Sequence, residues 1–418
     1  VALMEKQKFR EAIEECNKIL AIYPAYREAI IKKAICTNML KENEIAEAYK
    51  KLEFMLQLEG DREKQKSLLS AVPRMLHGRP DIAVWKEKRR GNQTLQILCG
   101  KTDFMWGDDS IEKGGVGGSE TAVIYMAREM SKLGWQVTVL AHPEERQEGI
   151  KTDNVLWLPY WRAIDMPEVE VAVVWRSPSL IHSTKADKKY VWLHDIQQKE
   201  FWTEKIQEEM TAAIPLSKAH RENCSWIPED KIFLSQNGLD PSFFGELKNE
   251  PHRLIYASSP NRGLQILLPM WPRIKQQFPE AVLDIYYGFT DVYKTSMQKS
   301  EYLRKIYELV MKNLDQPGVH YHGFVDQRHL SEAFHRAGIW AYPCPFGEIS
   351  CITAMQAQAA GAIPVSTGFW ALSETVKYGR MVGGPKDNLE ENANLQAEWL
   401  KELLSLMGNQ GEQKTTRL

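Results

Sequence analysis

Residues 340–365 read WAYPCPFGEISCITAMQAQAAGAIPV, and the rest of the chain is read outward from them. Ile339 to Tyr342 is an apolar run of strand length, followed by a loop containing Pro and Gly. The loop carries one carboxylate, Glu348, just ahead of a stretch of small residues, 350–360, that reads as a helix. Gly361 stands where a helix C-terminus favours glycine. Ile363-Pro364-Val365 then opens another strand. Such a crossover aims free backbone N–H groups and a positive helix end at an anion. The lone acid in front is placed to hold hydroxyl groups. Together these features suit a ligand with both phosphates and a sugar.

The same alternation extends upstream. Leu254–Ala257, Val282–Tyr287 and Val319–Tyr321 read as strands, with helices over 261–277, 299–314 and 328–336. A separate set precedes it, with strands at Leu95–Cys99, Val137–Leu140, Val155–Leu158, Val171–Trp175 and Val191–Leu193. A helix over 121–133, closed by Gly134, lies within this set. Alternation of this kind predicts parallel sheets in two α/β halves, 94–250 and 251–388. Ligands of such sheets bind outside the strand C-termini. Glu390–Leu406 reads as a last amphipathic helix inside a C-terminal segment, 389–418. Residues 71–93, with Pro73, Pro80, Arg89, Arg90 and Gly91, read as a linker.

Residues 1–70 have a different texture. Phe9, Ala12, Ile13, Cys16, Ile19 and Leu20 recur at helical spacing, and Pro24 ends that helix. Ala12 to Pro24 is 12 residues and Ala12 to Ala46 is 34. These intervals resemble tetratricopeptide repeats, in which small residues let paired helices approach closely. No Trp-Leu-Gly signature accompanies them, so a plain helical hairpin stays open. Val at the first position reads as a fragment or a processed chain.

Composition narrows the function classes. Of 418 residues 43% are apolar, enough for a core in each domain, and the net charge of −2 argues against a dedicated binder of nucleic acid or anionic membrane. No apolar stretch reaches the length of a transmembrane segment. Cys16, Cys36, Cys99, Cys224, Cys344 and Cys351 are scattered, without a CxxC pair. They point to free thiols and a cytoplasmic chain rather than a disulfide frame or a zinc site. Trp157, Trp175 and Trp192 sit on or beside strands and read as core, whereas Trp106 and Trp202 lie nearer loops where stacking on sugar rings is open to them.

Five further motifs accompany the Glu348 segment. Gly114-Gly115-Val116-Gly117-Gly118-Ser119-Glu120 precedes a helix and lets the backbone approach a ligand closely. It is not a dinucleotide fingerprint, because Glu120 stands where a third glycine is needed. Val191-Trp192-Leu193-His194-Asp195 is a strand ending in His-Asp, on the rim where ligands bind. Asn237-Gly238-Leu239-Asp240 is a turn, and Asn237 reads as mainly structural. Ser258-Ser259-Pro260-Asn261-Arg262-Gly263 places one guanidinium after the first strand of the second half, suited to a pyrophosphate. Last, His320-Tyr321-His322-Gly323-Phe324-Val325 follows a strand.

In this order the motifs resemble the retaining nucleotide-sugar glycosyltransferases with two Rossmann-like domains facing a cleft, the GT-B architecture, and family 4 in particular. The resemblance covers roughly residues 94–405. Glu348 matches the first Glu of that family's E-x7-E signature, and Gln356 stands at the second. The resemblance implies a nucleotide-diphosphate sugar donor, most simply UDP-linked, with no cofactor and no metal. It implies catalytic roles for His194, Arg262 and Glu348, with Arg262 on the diphosphate and Glu348 on the sugar hydroxyls. Donor contacts are implied for Gly117, Gly118, Asn237, Gly323, Phe324, Ser350, Cys351, Ile352 and Gln356. In this group a C-terminal helix commonly crosses back to the first domain. Hexosyl or N-acetylhexosaminyl transfer to protein Ser or Thr, the acceptor held by the helical N-terminus, is the first expectation. Transfer to a surface polysaccharide or lipid-linked glycan, or glycan or nucleotide binding without catalysis, stays open.

Overall fold

The computed structural model describes residues 9–22, 29, 33, 93–113, 115–144, 149, 151–152 and 155–417. The chain divides into two compact units, 1–89 with 165–167, and 90–164 with 168–418. In the first unit the helix Phe9–Ile22 forms where the apolar spacing predicts it, and it buries Ala12 and Cys16. Pro24, Ala46 and residues 71–92 of the linker lie outside the described residues, and the repeat spacing with them.

The second unit holds two sheets. The first has seven strands: β1 Thr94–Leu98, β2 Gln136–Ala141, β3 Lys151–Thr152, β4 Val155–Pro159, β5 Val169–Trp175, β6 Ala186–Trp192 and β7 Ala212–Ile214. Their order is β3-β4-β2-β1-β5-β6-β7, parallel throughout except for β3 against β4. The second sheet is parallel throughout: β8 Glu250–Ser258, β9 Val282–Tyr287, β10 Val319–Gly323, β11 Ala337–Tyr342, β12 Ile363–Thr367 and β13 Arg380–Val382, in the order β10-β9-β8-β11-β12-β13. The chain order reverses between β1 and β5 in one sheet and between β8 and β11 in the other. Those are the switch points where doubly wound sheets open a crevice.

Strands buried on both faces are apolar runs, as parallel sheets require. Every residue of β11 and β12 is buried. β6 is longer than the apolar run at its end because its first residues, Ala-Asp-Lys-Lys, are partly exposed and give no apolar signal. β7, β13 and the helices Glu204–Glu209 and Lys218–Asn223 are too short to show a period in the sequence. β10 runs on to Gly323, so His320 and His322 belong to the strand rather than to a loop after it.

Tryptophans fill both cores. Trp106 packs edge-on to Trp157, ring centroids 5.8 Å apart, and 5.7 Å from Trp175. Trp106 and Trp202 are buried, which removes them as surfaces for stacking sugars. Where a helix crossing back to the first half was expected, Ala393–Met407 packs on β12, β13 and the helix Leu264–Gln277, all in the second half. A short helix, Gln410–Arg417, follows it against β12. Among the described residues no helix is long and apolar enough to cross a membrane.

Candidate active site

The loop after β11 begins at Tyr342, whose ring stacks on Trp340 at 4.4 Å. Glu348 Oε1 accepts hydrogen bonds from the Tyr342 hydroxyl and from Arg262 Nη1, each at 2.8 Å. Tyr342 has one proton to give, so Ser258 Oγ, 3.1 Å away, is left to donate to the phenol oxygen. Arg262 comes from the 3-10 turn Pro260–Arg262 after β8. The turn lies close to the β11 loop because residue 263 is glycine. Gly263 has φ +119°, and a Cβ there would stand 2.4 Å from the Pro343 carbonyl oxygen. The Arg262 guanidinium lies over the Phe346 ring, 3.3 Å from its centroid. Burial works against its charge, but Glu348 raises its pKa above the usual value, so the cation persists. Its Nε is buried without a protein partner.

The helix behind this loop is Ile352–Ala359. Its first-turn N–H groups have no acceptor within the helix. Cys351 at the N-cap makes no side-chain cap bond, and burial pushes its thiol pKa well up. Gly361 takes φ +74° just past the helix, as its position predicts. Gln356 is buried and turned to the helix Gln327–Arg336, where its Nε2 meets Gln327 Oε1 at 3.4 Å.

In the first half the glycine loop leads into the helix Gly118–Lys132. The helix begins three residues before the apolar spacing places it, which puts Glu120 in its first turn. Glu120 is 5% exposed, and burial raises its pKa. Its partner is Arg176, directly after β5, with Nη1 at 3.3 Å from Glu120 Oε1. Arg176 also gives Nε and Nη2 to the two carboxylate oxygens of Asp195. It holds this geometry at φ +65°, a strained angle for a non-glycine residue. Burial raises its own desolvation cost, but Asp195 and Glu120 raise its pKa overall.

His194, just beyond β6, is buried against Trp192, with ring centroids 4.4 Å apart. Burial, then the Arg176 charge, lower its pKa to about 3, so the imidazole is neutral. Its Nε2 has no protein partner. Nearby, His220 Nδ1 accepts from the Leu216 N–H at 3.3 Å, so Nε2 carries the proton and donates to the Asp195 carbonyl at 3.0 Å.

The two halves meet at these loops. A Cβ on Gly115 would lie 3.0 Å from the Val325 carbonyl oxygen, and one on Gly118 would lie 3.2 Å from Ile352 Cδ1. Asn237 Nδ2 donates to the Ser350 carbonyl at 3.2 Å. The Glu374 carboxylate accepts from the backbone N–H groups of Lys218, at 2.9 Å, and Ala219, at 2.8 Å. Tyr287, at φ +81°, stands within the fields of Glu120, Arg262 and Arg176, which belong to both halves. Phe324 is exposed and packs edge-on to Tyr287 at 5.2 Å. Asn237 Oδ1 and Ser350 Oγ are buried without partners, as are His194 Nε2 and Arg262 Nε. Buried polar atoms are normally paired, so four orphans on the rims of the two sheets mark a polar ligand site.

Arg262, Glu348, Ser350 and Asn237 therefore stand together, with Gly118 against Ile352. Gln356 lies one layer away, on the helix face toward 327. Glu120, Arg176 and Tyr342 are charged or polar site residues that sequence reading missed. Arg176 had a usable signal, being a lone charge directly after an apolar strand. Asp108 pairs with Arg128, and Asp109 with Lys113.

Residues 251–409 match the family described as Glycosyl transferases group 1. Solved structures share the fold over most of the chain. Sucrose-phosphate synthase from Thermosynechococcus elongatus aligns with TM-score 0.52 at 12% identity, covering 78% of this chain and 97% of that one. HepE from Anabaena, solved in complex with UDP and glucose, aligns with TM-score 0.51 at 12% identity, covering 78% and 95%. A glycosyltransferase from Rickettsia africae aligns with TM-score 0.50 at 14% identity, covering 78% and 99%. No curated protein matches the chain.

Proposed function

We propose that this chain, a glycosyltransferase by its group 1 domain at residues 251–409, transfers a sugar from a nucleotide-diphosphate donor with retention and without a metal. The observation that carries the reading is Glu348, held by Arg262 and Tyr342 in front of the Ile352–Ala359 helix end at the β8/β11 switch point. The complex of HepE with UDP and glucose supports a UDP-linked donor.

In this reading the sugar hydroxyls bind Glu348. Arg262 turns its unpaired Nε, and the helix end its N–H groups, to the diphosphate, where they stabilise charge on the departing nucleotide. His194, neutral, hydrogen-bonds a sugar hydroxyl through its unpartnered Nε2. The bond from the anomeric carbon to the phosphate oxygen breaks as the bond to the acceptor oxygen forms on the same face. The acceptor proton passes to the leaving phosphate oxygen. Gly117, Gly118, Gly323, Phe324, Ser350, Cys351 and Ile352 line the donor crevice, and Gln356 offers an uncharged amide to the ribose. The acceptor is a protein Ser or Thr in a cytoplasmic setting, presented by the helical N-terminus. The buried stripe of the helix Phe9–Ile22 supports a helical module there.

Calorimetric titration with UDP, GDP, ADP and their sugars, with and without EDTA, tests the proposal. Binding of one nucleotide, unaffected by EDTA and followed by slow release of sugar with retained anomeric configuration, is expected. No binding to any of them overturns the donor assignment. Binding without hydrolysis or transfer overturns the catalytic one.

A further inference from the structure

We propose that Asp284, His320 and His322 form a binding site for one divalent transition-metal ion, of the zinc type, on the β10 edge of the second sheet. His320 and His322 are alternate residues of one strand, so their side chains share a face. β9 and β10 pair in parallel with His320 in register with Asp284. Asp284 Oδ1 is 2.8 Å from His322 Nε2 and 3.4 Å from His320 Nδ1. One ligand atom from each of the three side chains lies within 4.8 Å of the others. A tetrahedral zinc ion with bonds of about 2.1 Å holds its ligand atoms about 3.4 Å apart, so small side-chain rotations admit it.

The surroundings orient these groups as the outer partners of a metal site do. The Arg253 guanidinium engages the second oxygen, Asp284 Oδ2, and leaves Oδ1 to the imidazoles. Tyr286 stacks on the His322 ring at 4.5 Å with planes 8° apart, fixing its tilt. Both imidazoles are partly exposed, so an ion enters from solvent and water completes its shell. On binding, the ion takes the place of the proton between His322 Nε2 and Asp284. That proton moves to Nδ1 or is released.

The donor set selects among ions. Two imidazoles and one carboxylate suit zinc, nickel, copper or cobalt, whereas magnesium and calcium need more oxygen ligands than the site offers. The Arg253 charge counts against any cation bound through the carboxylate alone. β10 lies three strands from β11, about 14 Å at ordinary strand spacing, so the ion does not reach Glu348. It ties β10 to β9 one residue before Gly323.

Titration of the full chain, free of any affinity tag and stripped with a chelator, with Co2+ tests the site by visible absorption. One equivalent per chain is expected, displaced by Zn2+ and accompanied by a rise in melting temperature. The H320A/H322A double variant should bind at least about 100-fold more weakly. If that variant melts early without metal, His320→Ala alone, which removes an exposed ring, should still weaken binding about tenfold. Absence of saturable Co2+ or Zn2+ binding, unchanged affinity in the variants, or equal affinity for Mg2+ would overturn the proposal.

Discussion

The two switch points of this chain each carry one arginine, and the two are used differently. Arg176, after β5, gives three nitrogens to Glu120 and Asp195 and is committed to the protein. Arg262, after β8, gives Nη1 to Glu348 and keeps a buried Nε unpaired. The same residue type on equivalent rims thus serves as a strut in one half and as an available donor in the other. Rim position alone does not make a binding residue; what matters is whether its hydrogen-bonding capacity is already used.

The largest expected effect tests the strut. Arg176→Ala leaves Glu120 buried without its counter-charge and should cost about 3–5 kcal/mol of stability, read from urea unfolding. Burial already raises the Glu120 pKa, and losing Arg176 raises it further. The folded variant therefore holds a proton that the unfolded chain releases as pH rises above about 4.3. The loss is accordingly smallest in acid and grows as pH rises. A loss below about 1 kcal/mol at neutral pH would break the comparison.

Next comes Glu348→Ala, expected to lower kcat by about 10²–10³-fold while the melting temperature stays near that of the parent chain. A large stability change with unchanged turnover would make Glu348 a strut as well. Arg262→Ala should weaken nucleotide-diphosphate binding by about 10- to 100-fold, which calorimetry reads directly.

The neutral imidazoles sharpen the comparison through pH. His194 and His220 in the first half sit at about 3 and about 4, below their unfolded value of about 6.5. Between about pH 4 and 6.5 the unfolded chain binds more protons at both. Stability therefore rises with pH there, by about 1.4 kcal/mol per pH unit for each imidazole, and this contribution levels off above. The urea midpoint of His220→Asn, followed over that range, should lose about one imidazole's share of the slope. The smallest effect belongs to the contact between the halves: Glu374→Ala removes the acceptor of two backbone N–H groups and should cost about 1 kcal/mol. A loss exceeding that of Arg176→Ala would show that this contact, not the rim, holds the first half's loops.

Much of the fold was legible because parallel α/β structure writes itself locally. β1, β2, β4, β5, β9, β11 and β12 are apolar runs bounded by turn residues, and Gly134 and Gly361 punctuate their helices with positive φ. β7, β13 and the helices Glu204–Glu209 and Lys218–Asn223 were not, since three strand residues or fewer than two helical turns show no period. The Glu348 loop was legible for the same local reason. Glu120 was read as the residue that spoils a glycine motif. Its burial depends on Arg176, 56 residues away, and no local pattern announces that pair.

Taken alone, the sequence determined the order of strands and helices, the two α/β halves and the position of the carboxylate ahead of its helix. These follow from periodicity, turn chemistry and the backbone's own hydrogen-bonding needs, all short-range. Only the tertiary structure decided which charges meet. Arg262 and Glu348 are 86 residues apart and become partners because β8 and β11 are neighbours in the sheet. Asp284 faces His320 and His322 because β9 pairs with β10 in one register. Side-chain pairing across parallel strands is set by sheet order and register, which emerge from packing the whole core rather than from any one segment.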